Sequence, residues 1–358
     1  MRRLAIASLL LLGCFDWDVL SSTLNEPDLS VSDDLAQPDL AMADLNVPDL
    51  AMPDLRMPDL LLPPDMSLPV VVFSKQVDSA MLGGKKPNNA LFGWNASNLT
   101  AVGDGGVVAT TTNGTTWALA TVAGGGTTQN LHDVWFSSDG SSGWFVGAGN
   151  TGYLWSGGNW SSNNAMLAGT VFAVFGTANT KVVAGGDNNN NLFRFNTSWT
   201  KDSSMNFSST INGLWGTGQN FYAVGTGSND CLLITDASFS KTGCGTTGVL
   251  ENVWGLDTSN VLAAGYEGST GVVTKYDGTK WQKQTIPNVG KLYSVWAAGS
   301  KDICVGGEKG LVLHLDANGW TQVTAMGIPN TETVKDIWGA NANNIWFLTD
   351  AGTIYKKN

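Results

Sequence analysis

The sequence predicts an all-β domain over residues 70–358, built from seven four-stranded antiparallel units that close into a ring. The main observation is a repeat that occurs seven times, in which an apolar residue and an aromatic residue are followed, in six of the seven copies, by a small residue. The aromatic positions, which lie 43, 40, 40, 39, 42 and 42 residues apart, are Phe92, Trp135, Phe175, Trp215, Trp254, Trp296 and Trp338. This period matches the size of one propeller blade, so we expect a seven-bladed β-propeller.

Composition supports the same division of the chain. Gly accounts for 44 of the 358 residues, and 14 of the 15 Trp follow residue 69. Eight of the 11 Pro precede residue 70. Glycine-rich turns and packed aromatic residues are typical of a repetitive β fold, whereas proline opposes both helices and sheets. The sequence therefore predicts one large domain behind a proline-rich segment.

One repeat, residues 250–285, shows how each unit is built. It contains four short apolar strands, and Asp277-Gly278 marks a tight hairpin between the third and the fourth. The last repeat ends at Asn358 after only three strands. We expect the isolated strand 70–76, which begins Val70-Val71-Val72-Phe73, to join the last blade and close the ring. Closure would remove the exposed sheet edges of an open array.

The first residues predict an exported lipoprotein. Residues 1–13 begin Met1-Arg2-Arg3 and continue with a short apolar run that cannot cross a ~30 Å hydrocarbon core, so they form a signal peptide. Leu11-Leu12-Gly13-Cys14 resembles the lipobox of bacterial lipoproteins. The resemblance implies lipidation of Cys14, membrane attachment and, with Phe15 following, an outer-membrane lipoprotein that faces the periplasm or the cell surface. The alternative is an ordinary signal peptide with an incidental cysteine.

Residues 14–69 predict an acidic tether. They hold twelve Asp and Glu and one Arg, so their net charge is −11. The whole chain also has a net charge of −11, so its acidity comes from this segment. Pro-Asp pairs recur in it at Pro27, Pro38, Pro48, Pro53, Pro58 and Pro64. Regular proline and repelling carboxylates favour a disordered, extended chain at ~3.1 Å per residue. The alternative is that the Pro-Asp-Leu units are a docking motif.

The repeat as a whole resembles a family. The unit resembles the Val-Trp-Gly, Asn-Val, Ala-Val-Gly and Trp repeats of bacterial (myxobacterial-type) surface lipoproteins; in residues 253–281, Ala263-Ala264-Gly265 stands in place of Ala-Val-Gly. It resembles more distantly the sialidase-type, Asp-box and photosystem-assembly propellers. The resemblance implies the propeller fold and says little about function, because the recurring residues are those that a blade needs for packing.

The cysteines predict one disulfide. Cys231 opens the third strand of the fourth repeat and Cys244 closes its fourth strand, so a hairpin centred on Ala237-Ser238 would place them opposite each other. Export would permit the bond. The alternative is a pair of reduced thiols. We expect Cys304, between Ile303 and Val305, to be a buried small residue and not a nucleophile.

Several function classes lack the residues they need. The chain has no basic stripe for nucleic acid. The predicted domain has one arginine, Arg194, where sialidases use three. It contains no HExxH, CxxC or GxSxG motif, so we expect no cofactor, with Ca²⁺ as the one ion to consider. A pair of carboxylates that hydrolyses glycosides stays open as an enzymatic alternative.

One positional pattern predicts a binding surface. About twelve residues after the repeated aromatic, five repeats carry an acid, and these acids are Asp104, Asp187, Glu267, Glu308 and Asp350. Loops at this position share one face of a propeller, so the acids would surround one mouth of the central channel together with His132. They would bind a cation or glycan hydroxyls. Alternatively, each acid accepts backbone N–H bonds in its own turn.

Aromatic residues outside the repeat allow a second type of contact. Tyr266 is the residue of this kind that we assign to the binding surface, and the others are Trp144, Trp155, Trp346 and Tyr222. They would act as stacking platforms for sugars, or else pack between blades. We therefore expect a monomeric, non-catalytic binding or assembly module of the cell envelope that holds a protein or glycan. The alternatives are a carbohydrate-binding lectin and a glycan-cleaving enzyme.

Overall fold

The structure is a computed structural model, and it describes residues 69–358 apart from 188–191, 203–208, 227–229 and 237. The predicted signal peptide, the lipidation site Cys14 and the predicted tether up to residue 68 lie outside the described residues. Within the described ranges, no helix has the length and apolar character needed to span a bilayer.

The described chain folds into strands joined by short turns. In chain order the strands are β1 (Val70–Val77), β2 (Ala90–Asn95), β3 (Asn98–Gly103), β4 (Val107–Thr111), β5 (Trp117–Leu119), β6 (Leu131–Phe136), β7 (Ser142–Gly147), β8 (Thr151–Ser156), β9 (Asn159–Ser162), β10 (Val171–Ala178), β11 (Lys181–Gly186), β12 (Leu192–Phe195), β13 (Trp199–Lys201), β14 (Thr210–Thr217), β15 (Asn220–Thr226), β16 (Asp230–Ile234), β17 (Phe239–Gly243), β18 (Val249–Asp257), β19 (Asn260–Glu267), β20 (Thr270–Tyr276), β21 (Trp281–Lys283), β22 (Leu292–Gly299), β23 (Asp302–Gly307), β24 (Val312–Asp316), β25 (Gly319–Met326), β26 (Val334–Asn341), β27 (Asn344–Thr349) and β28 (Ile354–Lys357). Single 3-10 turns occur at Asp104–Gly106, Ala123–Gly125 and Glu308–Gly310.

The strands form antiparallel blades in sequence order. Five separate four-stranded sheets contain β2–β5, β6–β9, β10–β13, β14–β17 and β18–β21. One eight-stranded sheet has the order β22-β23-β24-β25-β1-β28-β27-β26, so it consists of two four-stranded halves. The first strand of each repeat is innermost. Consecutive innermost strands contact each other, and β26 contacts β2, which closes the ring. The predicted all-β class with four-stranded antiparallel blades is confirmed.

Strand β1 closes the ring in a way that differs in part from our expectation. Its second half, from Phe73 to Val77, pairs antiparallel with β28, so the two ends of the described chain share the last blade. Its first half does not: Val70, Val71 and Val72 pair parallel with Thr324–Met326 of β25. The strand therefore bridges two adjacent blades, and this pairing is what joins them into one eight-stranded sheet.

The aromatic–glycine repeat has a direct packing explanation. A Cβ atom added to Gly255 would lie 2.5 Å from the ring of Trp215, which belongs to the preceding blade. A Cβ atom added to Gly339 would likewise lie 2.6 Å from the ring of Trp296 in the preceding blade. The indole of one blade thus lies directly on the glycine of the next, where any side chain would collide with it. Close packing of this kind requires glycine and explains why the two residues recur together.

The predicted disulfide is confirmed. Cys231 and Cys244 are bonded, with their Cα atoms 5.1 Å apart. The predicted register of the hairpin was wrong, however, because Cys231 lies opposite Thr242 and Cys244 follows the end of β17. The bond therefore joins the third strand to the residue just beyond the fourth. Cys304 is 1% exposed and lies in the apolar core between β23 and its neighbours.

Candidate functional site

Three aromatic rings divide the central channel. Phe92, Phe175 and Trp254 come from the innermost strands β2, β10 and β18, which belong to alternate blades. Their ring centroids lie 6.2 Å, 6.4 Å and 6.5 Å apart in pairs, so the three rings meet in the channel. We call them the aromatic plug. A cavity of about 150 Å³ lies at the N-terminal ends of the innermost strands, and one of about 1010 Å³ lies at their C-terminal ends. We call these the N-side cup and the C-side cup.

A departure from the repeat explains the position of Trp254. The next blade has Ala297 where most repeats have glycine, so the indole of Trp254 cannot lie over that Cα atom. Its Nε1 donates a 3.2 Å hydrogen bond to the Ala297 carbonyl, and the ring stays partly exposed in the channel. Phe92 is likewise followed in the next blade by the bulky Phe136. Because of these two exceptions, the rings of Phe92 and Trp254 do not pack on a glycine of the next blade, and they stay partly exposed in the channel.

Each of the seven innermost strands contributes one side chain to the mouth of the N-side cup. In the first blade this side chain belongs to the residue just before the strand. These residues, each three places before the repeated aromatic, are Asn89, His132, Phe172, Asn212, Glu251, Tyr293 and Lys335. His132 packs on Phe172 with ring centroids 4.9 Å apart, and burial lowers its pKa. The structure thus places the predicted binding residue His132 at the channel mouth.

A second layer of polar side chains joins neighbouring blades. Asp133 accepts a 2.7 Å hydrogen bond from the N–H of Val174 in the next blade. Asp336 accepts one of 2.8 Å from Leu91 in the same way. Burial raises the pKa of Asp336 to about 7 and that of Asp133 well above its usual range, although these backbone donors act in the opposite direction. The two buried carboxyl groups therefore hold blades together.

The five predicted acids lie at the expected turns, but none lines the N-side cup. Each contacts the segment that leads into the first strand of its own blade. Asp104 accepts from the side-chain amides of Asn88 and Asn89, at 3.1 and 3.0 Å. Asp350 accepts from the Thr333 N–H at 2.9 Å. Asp350 thus accepts a backbone N–H bond, whereas the partners of Asp104 are side-chain amides.

Two of the other acids follow the same plan with different partners. Asp187 accepts a long bond of 3.4 Å from the N–H of Thr170. Glu267 is bonded to the Thr246 hydroxyl and forms a 2.7 Å ion pair with Lys283. Among the described residues, no group of three His, Cys, Asp or Glu is placed to hold a metal ion. A ligand role for the five acids stays a prediction.

Glu308 differs because it belongs to a larger group at the mouth. The hydroxyl of Tyr293 lies 3.5 Å from its carboxylate. The Lys335 ammonium lies 4.3 Å above the ring of Tyr293. The Lys291 ammonium lies 4.4 Å above the ring of Tyr266, and the two tyrosine rings are 6.1 Å apart. We call this group, with Glu251, the Tyr–Lys cluster.

The electrostatics of the Tyr–Lys cluster are closely coupled. Burial, reinforced by the charge of Glu308, raises the pKa of Tyr293 to about 12. Burial and the nearby Glu251 raise the pKa of Tyr266. Burial also raises the pKa of Glu251, which accepts from Asn212 at 3.2 Å. Sequence reasoning found Tyr266 and Glu308 but missed the rest, although three of the other members are marked by their place three residues before the repeated aromatic.

The other predicted aromatic platforms are mostly unavailable. Trp144, Trp346 and Tyr222 are 0%, 0% and 2% exposed, so they pack between blades and cannot stack on a ligand. Trp155 is partly exposed, and its indole donates to the Gly140 carbonyl at 3.2 Å. Of the aromatic residues considered from sequence, Tyr266 lies next to a residue of the channel mouth, since its ring is 6.1 Å from that of Tyr293.

The C-side cup has a different chemistry. The aromatic plug forms its floor, and Trp135 and Trp338 contribute to its lining. The turns that follow the innermost strands form its rim, with Asn95, Asp139, Asn179 and Asn341 among the rim residues. Among the described residues of this lining, Asp139 is the one that ionises, and none is Lys, Arg, His or Glu. Sequence reasoning did not predict this cup, because its floor depends on the exceptions to the repeat.

Comparisons with known proteins identify the fold. YCF48 bound to D1 peptide aligns with a TM-score of 0.65 at 15% identity, covering 81% of this chain and 97% of that one. Virginiamycin B lyase from Staphylococcus aureus aligns with a TM-score of 0.66 at 13% identity, covering 80% and 99%. The WD40 domain of Doa1 aligns with a TM-score of 0.61 at 12% identity, covering 80% and 97%. This chain is a β-propeller. No family model and no curated protein matches the sequence, and at these identities the propeller likeness establishes the fold alone.

Proposed function

We propose that this propeller is a non-catalytic binding module of the cell envelope that holds a protein partner at the mouth of the N-side cup. In this proposal the lipid on Cys14 anchors the chain, and residues 14–69 tether the propeller away from the membrane. The support for the anchor and the tether is the sequence pattern of the residues before position 69. The module would belong to a lipoprotein of the outer membrane.

The observation that carries the proposal is the Tyr–Lys cluster. It combines two tyrosines, two lysines and two glutamates at one channel mouth, and each lysine already lies over a tyrosine ring at 4.3–4.4 Å. Tyrosine is enriched in protein interfaces because its ring is large and rigid and its hydroxyl can still bond to water or a partner. Both signs of charge are present, so the cluster can pair with a polypeptide of mixed charge.

The carboxyl groups near the Tyr–Lys cluster favour a binding role over a catalytic one. The two most deeply buried carboxyl groups at the channel, Asp133 and Asp336, already accept two backbone N–H bonds each. They therefore act as links between blades. YCF48 bound to D1 peptide is a propeller that holds a polypeptide segment, which supports the idea that this architecture suits such a partner.

The test is capture of a partner from an envelope extract of the producing cells by the purified full-length protein. The test variant is the double substitution Lys291→Ala/Lys335→Ala. The matched control is Lys280→Ala/Lys301→Ala, which removes the same charge from exposed turns at the opposite face. We expect a defined protein to be captured by the wild type and the control, and at least tenfold less by the test variant. Equal capture by all three proteins, or no captured protein, would contradict the proposal.

A further inference from the structure

We propose that the C-side cup binds the end of an uncharged oligosaccharide. This inference goes beyond the proposed function, because it concerns the opposite end of the channel and a different class of ligand. The aromatic plug separates the two cups, so the two proposals stand on different residues and can fail independently.

The floor of the cup suits the apolar face of a sugar ring. Phe92, Phe175 and Trp254 are all partly exposed, although their counterparts Trp135 and Trp338 are only 3% and 5% exposed. An exposed aromatic surface at the bottom of a concavity favours ligands that bring C–H groups against the ring faces. The volume of about 1010 Å³ is at the upper end of the range of small-molecule sites and can hold several sugar units.

The wall adds a further aromatic residue in a fixed position. Trp94 packs on Phe136 with centroids 4.8 Å apart. A Cβ atom added to Gly140 would lie 2.6 Å from its ring, so the indole is held against that turn. Trp94 remains partly exposed toward the cup that it lines. Such a rigid aromatic wall can contact a ligand with little loss of side-chain entropy.

The charge of the lining disfavours anionic ligands. Asp139 is its one ionisable residue, and its carboxylate already accepts from the Ser137 hydroxyl at 2.7 Å and from the Ser141 hydroxyl at 2.8 Å. These hydrogen bonds lower the pKa of Asp139 to about 2. A phosphate or carboxylate group entering the cup would lose hydration and would meet only the negative charge of Asp139, so it would gain no counter-charge. The occupant therefore carries no anionic group, and an uncharged sugar meets this condition.

The rim supplies the hydrogen bonds that hydroxyl groups need. The Oδ1 of Asn95 accepts the N–H groups of Ser97 and Asn98, at 2.9 and 3.0 Å. Asn341 holds its turn in the same way through Asn343 at 3.0 Å. Both side chains are thus fixed through oxygen, and in the described part of the chain their Nδ2 groups have no acceptor. Fixed amide donors around an aromatic floor match the hydroxyls of a sugar better than the apolar side chain of a protein.

The test uses the full-length protein and named probes. Maltotriose, cellotriose and N,N′,N″-triacetylchitotriose serve as uncharged ligands, and sialyllactose and trigalacturonate serve as charged ones. Binding is measured by titration calorimetry and by tryptophan fluorescence. We expect at least one uncharged trisaccharide to bind, and the charged ones to bind at least tenfold more weakly. No binding by any uncharged probe, or equal binding of charged ones, would overturn the proposal.

Variants then locate the site. Asn341→Asp keeps the Oδ1 acceptor but adds a charge to the rim, and Asn318→Asp makes the same change in an exposed turn outside the cup. Trp94→Ala is paired with Trp320→Ala, which removes a partly exposed indole elsewhere. We expect each cup variant to lower affinity at least tenfold and the controls to bind as the wild type does. Asn341→Asp should leave the melting temperature unchanged, whereas Trp94→Ala should lower it because Trp94 packs on Phe136, so its binding is measured below its melting temperature.

Two further outcomes separate this proposal from others. Lys291→Ala/Lys335→Ala is expected to leave saccharide affinity unchanged, because those residues lie at the other mouth. Unchanged affinity in both cup variants would place the sugar elsewhere and overturn the proposal. Displacement of the sugar by an aromatic tripeptide of higher affinity would make the cup a protein-binding pocket and would also overturn it.

Discussion

The carboxylate of Asp336 accepts a 2.8 Å hydrogen bond from the backbone N–H of Leu91, a residue 245 positions earlier in the chain. The bond joins the last innermost strand, β26, to the first, β2. Asp336 also accepts from Ile337 at 2.9 Å and from the Ser294 hydroxyl at 3.2 Å. One buried side chain thus links three consecutive blades at the point where the ring closes.

Replacing this carboxylate should weaken the ring. Asp336→Ala leaves the N–H groups of Leu91 and Ile337 without acceptors, at a cost of about 1–3 kcal/mol for each buried group. We expect the free energy of unfolding in a urea titration to fall by about 2–4 kcal/mol. The control is Asp236→Ala, which removes a 62% exposed carboxylate from a surface ion pair and should change stability by under about 1 kcal/mol. Equal effects of the two substitutions would contradict the linking role of Asp336.

Stability should also depend on pH through this group. Burial raises the pKa of Asp336 to about 7, whereas the unfolded chain has an aspartate pKa of about 3.9. Between these values the folded protein binds more protons than the unfolded chain, so the free energy of unfolding falls as pH rises through this window. We expect Asp336→Asn to show a smaller fall in melting temperature from pH 5 to pH 8 than the wild type. The same pH dependence in both proteins would show that Asp336 does not titrate there.

The aromatic–glycine repeat predicts a matched pair of substitutions. Gly255→Ala forces a methyl group against the ring of Trp215, and overpacking of this kind costs about 1–3 kcal/mol. Gly299→Ala is the control, because an added Cβ atom there meets nothing within 4 Å. We expect urea unfolding to show the loss for Gly255→Ala alone, with a change in tryptophan emission as the indole moves. Chain entropy alone would make Gly299→Ala neutral or slightly stabilising. A comparable loss for Gly299→Ala would therefore show that the loss does not come from contact with the indole.

The disulfide should contribute to stability by restricting the unfolded chain. Cys231 and Cys244 are separated by 13 positions, and a loop of this size corresponds to about 2–4 kcal/mol. We expect the double substitution Cys231→Ala/Cys244→Ala to lower the free energy of unfolding by that amount while the fold is retained. Peptide mapping without reduction should recover the two cysteines in one linked fragment from the wild type. Recovery of the two in separate fragments would contradict the bond.

The sequence predicted the blades well because their packing is local and repeats. The aromatic positions and the adjoining small residues follow directly from the contact between Trp215 and Gly255 and its equivalents. The parallel pairing of Val70–Val72 with β25 was not predictable, because a run of apolar residues shows that a strand exists but fixes neither its partner nor its register. The hairpin register at Cys231 was wrong for the same reason.

The candidate sites were predicted less completely. The offset from the repeated aromatic located Asp104 and Asp350 at the correct turns, but their partners Asn88 and Thr333 lie before the repeat and carried no signal. The Tyr–Lys cluster combines residues of three blades, so its contacts depend on ring geometry. The aromatic plug depends on Ala297, one exception among similar repeats, whose effect appears only when neighbouring blades are placed together.

The central claim, that a protein partner docks on the Tyr–Lys cluster, is tested most directly by photo-crosslinking in the producing cells. A photoreactive phenylalanine analogue is placed at Tyr266 in one strain and at Gln282, an exposed position in the outer strand of the same blade, in another. The account predicts a discrete protein adduct, identified by mass spectrometry, from position 266 and none from position 282. The same adducts from both positions, or none from position 266, would contradict it.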